Sequence, residues 1–412
     1  MAYRQAGLAS ALVLVLLAAC GTPAPLTSEA PDFGTSRDER ELISAADALD
    51  RELLAKGLVL QDAAVEAYVA RVGARLVPAA AARQVRFRFQ VMRDPQVNAF
   101  ALPNGSIRVN VALLARLENE AQLAQVLGHE VAHVVGRHAL DRKRTQRGQM
   151  TTANVLTVAF GGLAPAQQQA LAAMAEHNRE NEAQADALGL RYLAEAGYPL
   201  AEADRLFAIL NELKPIESAA SSIYARHPDN AQRAEQARQL VASGKLPANA
   251  GASNGAAEYA PIRHAVAVET VRLKLNVRQY SLAADTAARA LEREPSSPWL
   301  HYYFGEAYRL MAEDAGGAAQ EHAQINGIKP TGRLVAEYRG KKAGFLSSAK
   351  QSYARALAAE PQFVPAYRGM GLVAAAEGDR EAARAALRRY LDNAKEVPDR
   401  RYIDHVLGRL GK

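Results

Sequence analysis

Apolar residues recur at helical spacing over residues 37–56 and 62–77, with charged residues gathered on one side. Val85, Phe87, Phe89 and Val91 then alternate with Arg86, Arg88 and Gln90, the pattern of a half-buried strand. Asn104-Gly105 separates two extended runs and signals a hairpin, because both residue types tolerate the backbone of a tight turn. The second run, Ser106 to Val111, is expected to lead into a helix from about Glu118 to Gly136. A further helix is predicted around Asn178 to Gly189. Between these helices, residues 141–176 are rich in Gln and Ala and contain Gly161-Gly162 and Pro165. A functional lid and a helical pair packed on the core are both open readings of so long a connection. The basic run Arg137 to Arg144 reads as a solvated helix end, where cations are favoured.

Past residue 242 the pattern changes. Ser243 to Ala257 mixes Gly, Ala, Asn and Ser and reads as an interdomain linker. Paired helices are expected over 258–412. Tyr367, Met370, Gly371, Ala374, Ala383 and Leu387 fit the spacing of a tetratricopeptide repeat. Ala349, Tyr353, Ala356 and Pro361 fit the second helix of an earlier repeat, and Trp299, Phe304, Gly305 and Tyr308 fit its first. An insertion of about a whole repeat, Ala312 to Gly344, separates those two halves. Ala283, Ala287, Ala290 and Pro295 mark a degenerate unit before them. Stacked pairs of this kind build a curved α-solenoid whose concave face can dock peptides or a partner complex.

Composition narrows the setting. Of 412 residues 49% are hydrophobic, enough for two or three buried cores. The single cysteine, Cys20, excludes an intramolecular disulfide. It follows Arg4, a short apolar stretch from Leu8 to Leu17, and then Ala18-Ala19. That stretch suits a signal-peptide core better than a spanning helix. Small residues before a lone Cys resemble the bacterial lipobox, which implies removal of residues 1–19 and acylation of Cys20. Gly21 in place of Asp implies retention at the outer membrane, facing the periplasm. Residues 20–36 are then expected as the acylated Cys and a flexible tether. Val155 to Ala164 is the most apolar later stretch and is too short to cross a bilayer. The net charge of +6 is spread among acidic residues, and no nucleic-acid module is visible, so nucleic acid is not expected as a partner.

The chemistry is concentrated in His129-Glu130-Val131-Ala132-His133. On a helix, residues four apart share a face, so both imidazoles can reach one metal ion. Glu130 sits beside the first ligand, placed to take a proton from water activated there. A catalytic zinc site needs a third ligand and one open corner. Glu182 and Asp186 are also four apart, on the second predicted helix. Glu182 can complete the ligand set, and Asp186 can accept the spare ring N–H of a ligand histidine. A structural zinc site is a weaker reading, since such sites are usually closed by four ligands and rich in Cys.

These residues resemble the HtpX-like and CAAX-prenyl-protease-like zinc metallopeptidases. That family's second motif, S-R-x-x-E-x-x-A-D, appears as Asn178-Arg179-Glu180-Asn181-Glu182-Ala183-Gln184-Ala185-Asp186, with only the Ser replaced. Asn98 to Ile107 resembles its N-A-F-A-L-P-G-G segment, and His227-Pro228 with Arg233 its H-P-x-x-x-x-R element. The resemblance covers roughly residues 40–240. It implies an α+β, mostly helical zincin-type metallopeptidase domain with a small β-sheet over 37–242, followed by the tetratricopeptide-like solenoid over 258–412. It implies one zinc ion per chain, held by His129, His133 and Glu182, with Asp186 and Arg179 supporting the ligands. It also implies an edge strand that holds an extended substrate as an added strand.

His227 is expected as a donor to the reacting carbonyl oxygen, with Tyr224 and Arg226 as rivals; ligation of the metal by His227 in a latent state stays open. His138 and His177 are expected to make structural hydrogen bonds. Peptidase plus repeats resembles the beta-barrel assembly-enhancing protease group. That implies unfolded or misassembled envelope proteins as substrates and contact with outer-membrane assembly machinery through the repeats. A chaperone or assembly factor with an ancillary metal site is the alternative.

Overall fold

The computed structural model describes residues 23–26, 32–145, 179–213, 230–247, 249 and 251–411. The expected signal peptide, Cys20, Tyr224, Arg226, His227, His177 and residues 146–176 of the expected lid lie outside them, as does the side chain of Arg179.

Helix starts follow from capping. Ser36 accepts the Glu39 N–H and opens α1 (Arg37–Ala55). Asp62 accepts from the N–H groups of Ala64 and Val65 and opens α2 (Ala63–Ala74). A single turn, α3 (Ala79–Ala82), leads to β1 (Arg88–Met92). The sheet adds β2 (Ala99–Ala101) and β3 (Ser106–Asn110) in the order β1-β3-β2, with β1 parallel and β2 antiparallel to β3. The turn between β2 and β3 is the one signalled by Asn104-Gly105. Gly105 has φ +85°, and Asn104 Nδ2 donates to Asp47 and Asp50 at 2.7 and 2.9 Å. Asp50 also accepts from Arg88, Ser106 and the fully buried Arg108, so one carboxylate on α1 gathers the hairpin. Burial works against its charge, but those hydrogen bonds outweigh it and hold its pKa below the usual value.

Two boundaries differ from the pattern. β1 begins at Arg88 rather than Val85. β3 runs into a short helix, α4 (Val111–Arg116), before the long one; the run Val111-Ala112-Leu113-Leu114 is buried throughout, which a helix achieves when its surroundings are apolar on every side. Asn119 then caps α5 (Glu120–Val135), which is buried along its entire length. α5 packs against β2 and α7 (Arg179–Glu195), with α8 (Glu202–Asn211) and α9 (Asn230–Ala242) beside α7 or α5.

The basic run after α5 is not a solvated end. Its helix, α6 (His138–Thr145), packs on the acidic face of α1. Arg137 is buried and pairs with Glu39, and Lys143 bridges to Glu41 at 2.7 Å. The described part of the expected flexible tether is docked as well. Leu26 is buried, and its N–H donates to the Val135 carbonyl at 2.9 Å.

The segment 243–257 is held against the first unit: Asn249 Nδ2 donates to the Ala194 and Tyr198 carbonyls, and the Ala121 N–H to that of Asn254. α10 (Ala256–Asn276) follows. Its Tyr259, Ile262 and Val266 complete the core that contains α5, and its Val271 enters the next cluster. Beyond it lie α11 (Tyr280–Arg293), α12 (Pro298–Glu313), α13 (Ala315–Ile325), α14 (Gly332–Gly340), α15 (Lys342–Ala359), α16 (Val364–Glu377), α17 (Arg380–Asn393) and α18 (Arg400–Leu410). α10 packs on α11, α12 on α15, and α16 on α17, while α13 and α14 are inserted between the halves of the middle pair. Among the described residues no helix is long and apolar enough to cross a membrane.

Candidate metal centre

His129 and His133 project from one face of α5, and Glu182 approaches from α7. The two Nε2 atoms are 3.0 Å apart. Glu182 places Oε2 3.5 Å from His129 Nε2 and Oε1 3.5 Å from His133 Nε2. All three side chains are buried, and their donor atoms lie within 4.8 Å of one another. Two imidazole nitrogens and one carboxylate, converging on a point with a fourth direction left over, match the donor set of a catalytic zinc site.

The outer ring nitrogens settle which lone pairs face that point. His129 Nδ1 lies 3.0 Å from Asp186 Oδ1, so Nδ1 carries a proton and Nε2 is the nitrogen that faces that point. His138 Nε2 lies 2.7 Å from Gln184 Oε1, an acceptor, so His138 Nδ1 is the bare nitrogen of that ring. His133 Nδ1, 2.8 Å away, must then donate to it, which leaves the His133 Nε2 lone pair facing His129 Nε2 and Glu182. Burial pushes His138 down to about 4, consistent with a neutral ring that accepts.

Asp186 is itself fixed. Arg233, from α9, donates to both of its oxygens at 2.7 Å and lies over the Phe207 ring. Burial alone would raise the Asp186 pKa; the Arg233 bonds and charge, with His129, lower it to about 2. Burial alone would lower His129, yet hydrogen bonds to Asp186 and Glu182 lift it to about 9. A cation arriving here must displace that proton, so binding is coupled to proton release.

Helix approach makes this convergence geometric. A Cβ on Gly189 would meet the His129 backbone N at 2.9 Å and Cα at 3.0 Å, and one on Gly128 the Gly189 carbonyl at 3.1 Å. α5 and α7 therefore cross backbone to backbone, one residue before His129 and three after Asp186. Residues 63–241, which span the sheet, both helices and Arg233, match the model of peptidase family M48. Over those residues the chain is similar to peptidase family M48.

The relatives agree. The beta-barrel assembly-enhancing protease of Escherichia coli (strain K12) is 28% identical over 263 residues, 56% of this chain and 53% of its own length. That of Yersinia pestis is 30% identical over 188 residues, covering 41% and 38%. The mitochondrial metalloendopeptidase OMA1 of Schizosaccharomyces pombe is 27% identical over 182 residues, covering 40% and 50%. The chain spans about half the length of the curated relatives it matches. A solved human IFIT1 dimer with PPP-AAAA overlays on 66% of this chain and 63% of its own at 16% identity and a TM-score of 0.24, too low to speak for a shared fold.

Two openings flank this centre. An apolar pocket is lined by Val126, Leu190, Leu206 and Phe207 and reaches His129 and the buried Glu130. On the other side, Ala101, Leu102 and Pro103 from the end of β2 share a cleft with His133 and Arg142. The structure thus brings together His129, Glu130, His133, Glu182 and Asp186. The sequence reading gave no role to Gln184, Arg142, Gly128 or Gly189, and quoted Arg233 only as part of a motif. Arg233 was findable, since a buried Asp beside a ligand histidine calls for a cation. Gly128 and Gly189 were marked only by sitting inside the two motifs.

Proposed function

We propose that the chain is a zinc-dependent endopeptidase that cleaves unfolded or misassembled envelope proteins. It would act from the periplasmic face of the outer membrane, anchored by acylated Cys20 after loss of residues 1–19. The observation that carries the reading is the convergence of His129, His133 and Glu182 beside Glu130. These three residues would hold the ion, which supplies a Lewis acid that polarises a scissile carbonyl and acidifies water. Glu130 takes the proton of the attacking water and delivers it to the leaving amine. Asp186, braced by Arg233, and His138, braced by Gln184, keep both ligand rings in the tautomer the site needs. Arg179 is proposed to support the ligands too. His227 is proposed as the donor to the carbonyl oxygen as it gains charge.

β2 is an edge strand of the sheet, and its end shares the cleft of His133. An extended peptide can pair with such an edge through its backbone, which selects flexible chains over particular sequences. The pocket of Val126, Leu190 and Phe207 fits an apolar side chain beside the scissile bond. The pairs α10–α11, α12–α15 and α16–α17 are proposed as tetratricopeptide-like repeats that recruit clients or outer-membrane assembly machinery, with the boundary within residues 243–257. The names of the beta-barrel assembly-enhancing relatives support this setting.

The test is Glu130→Gln. It is expected to keep one zinc per chain and lose cleavage of an unfolded protein by roughly 10²–10⁴-fold. Cleavage that persists in this variant refutes the mechanism; envelope defects rescued equally by variant and parent would favour an assembly factor instead.

A further inference from the structure

The insertion that divides the middle helical pair is basic and exposed. Between residues 326 and 344 stand Lys329, Arg333, Arg339, Lys341 and Lys342 against Glu337, a surplus of 5 − 1 = +4. All six charged side chains are exposed. Lys341 pairs with Glu337 at 2.6 Å, while Lys329, Arg333, Arg339 and Lys342 stand in no ion pair among the described residues.

α14 lies at the centre of this stretch and buries none of its residues. Tyr338 holds it to its neighbours, with its hydroxyl 3.2 Å from His322 Nδ1 and its ring 6.0 Å from that of Phe345, and Leu334 and Val335 are half-buried. Ile328, beside Lys329, is 53% exposed, among the most exposed large apolar side chains described. A short helix with no fully buried residue adds little to the core beneath it.

We propose that residues 326–344 dock on an anionic phospholipid surface. Exposed cations that follow an exposed aliphatic side chain along one stretch match what such a surface offers: a negative potential within a Debye length and an interface that accepts one apolar residue. Lipid docking here requires neither the metal centre nor the acyl group, so it stands or falls separately from the peptidase reading. With Cys20 acylated, it would add a second contact to the first and fix the orientation of the helical pairs against the membrane.

The test uses the full chain with Cys20→Ser and Ile328→Cys, labelled at residue 328 with an environment-sensitive fluorophore. POPC vesicles with ~30% POPG are expected to shift its emission to the blue at ~0.1 M NaCl, and the shift is expected to vanish near ~0.5 M. Pure POPC vesicles should give none. Combining Lys329→Glu, Arg333→Glu, Arg339→Glu and Lys342→Glu should lower apparent vesicle affinity at residue 328 at least ~10-fold, and the four Gln replacements should fall between. All four positions are exposed, and an unchanged melting curve and zinc content would show that the fold is intact. No shift with POPG, or an equal shift with pure POPC, overturns the proposal; a silent label on a chain that still captures an acidic protein through these residues does so in favour of a protein partner.

Discussion

Replacing Asp186 by Asn separates two roles that one carboxylate performs. It accepts from His129 Nδ1 at 3.0 Å and from Arg233 twice at 2.7 Å, with its side chain only 11% accessible. Asn keeps one acceptor oxygen and loses the charge. For the ligand ring, loss of an ionised acceptor costs about 10–100-fold in metal affinity, or roughly 1.4–2.7 kcal/mol. For the fold, Arg233 stays buried but loses its charge-assisted pair with Asp186, while a Glu182 oxygen lies 3.9 Å from it. Breaking a buried pair from one side costs about 3–5 kcal/mol. The second loss is the larger, so a melting curve alone would mislead. Zinc affinity should be measured by competition with a chromophoric chelator for the parent, Asp186→Asn, and Asp186→Asn with Arg233→Met. The double variant removes the stranded cation and should recover stability while zinc stays weakly held. If the double variant binds zinc as tightly as the parent, Asp186 merely neutralises Arg233 and does not orient His129.

Gly189→Ala forces a methyl to within about 3 Å of the His129 backbone; we expect ~1–3 kcal/mol of destabilisation together with a fall in zinc stoichiometry, and a variant matching the parent in both calorimetry and metal content would contradict the close crossing. Burial opposes the charge of Glu306, but Arg309, Arg368 and the Tyr353 hydroxyl outweigh it and lower its pKa from 4.5 to about 2. Its stabilisation is therefore complete above pH 4.5 and fades as pH falls through about 2, on the order of 3 kcal/mol, so Glu306→Gln should flatten the acid side of the stability profile; an unchanged slope there would refute it. A chain ending at Ala257 strips Tyr259, Ile262 and Val266 from the core around α5, about 5–9 kcal/mol by area bookkeeping, and should fail to hold zinc, whereas one ending at Val277 should hold it.

The metal ligands are legible in the sequence because each pair is local: four residues apart on one helix brings two side chains to one face, whatever the rest of the chain does. The hairpin is legible for the same reason, since Asn104-Gly105 is itself the turn. α4 is not, because Val111 to Leu114 continue the apolar run of β3, and nothing in an unbroken apolar stretch says where extended backbone gives way to helix. The basic run after His133 misleads in a different way. Its charges suggest solvent, but Arg137 and Lys143 meet Glu39 and Glu41 from a helix nearly a hundred residues earlier, and long-range pairing leaves no periodic trace.

The linker reading of residues 243–257 shows why composition and mechanics can diverge. Gly, Ala, Asn and Ser favour loops, and this stretch is one; yet loops also lend side-chain amides to neighbouring carbonyls, as Asn249 does. Once that loop is tied down, α10 enters with Tyr259 donating to the Leu114 carbonyl at 2.7 Å and continues outward to pack on α11. One helix thus belongs to both cores, packing on α4 as well as on α11. A flexible joint would let the two units act as independent modules; a shared helix makes the orientation of the metal centre depend on how the helical pairs are held.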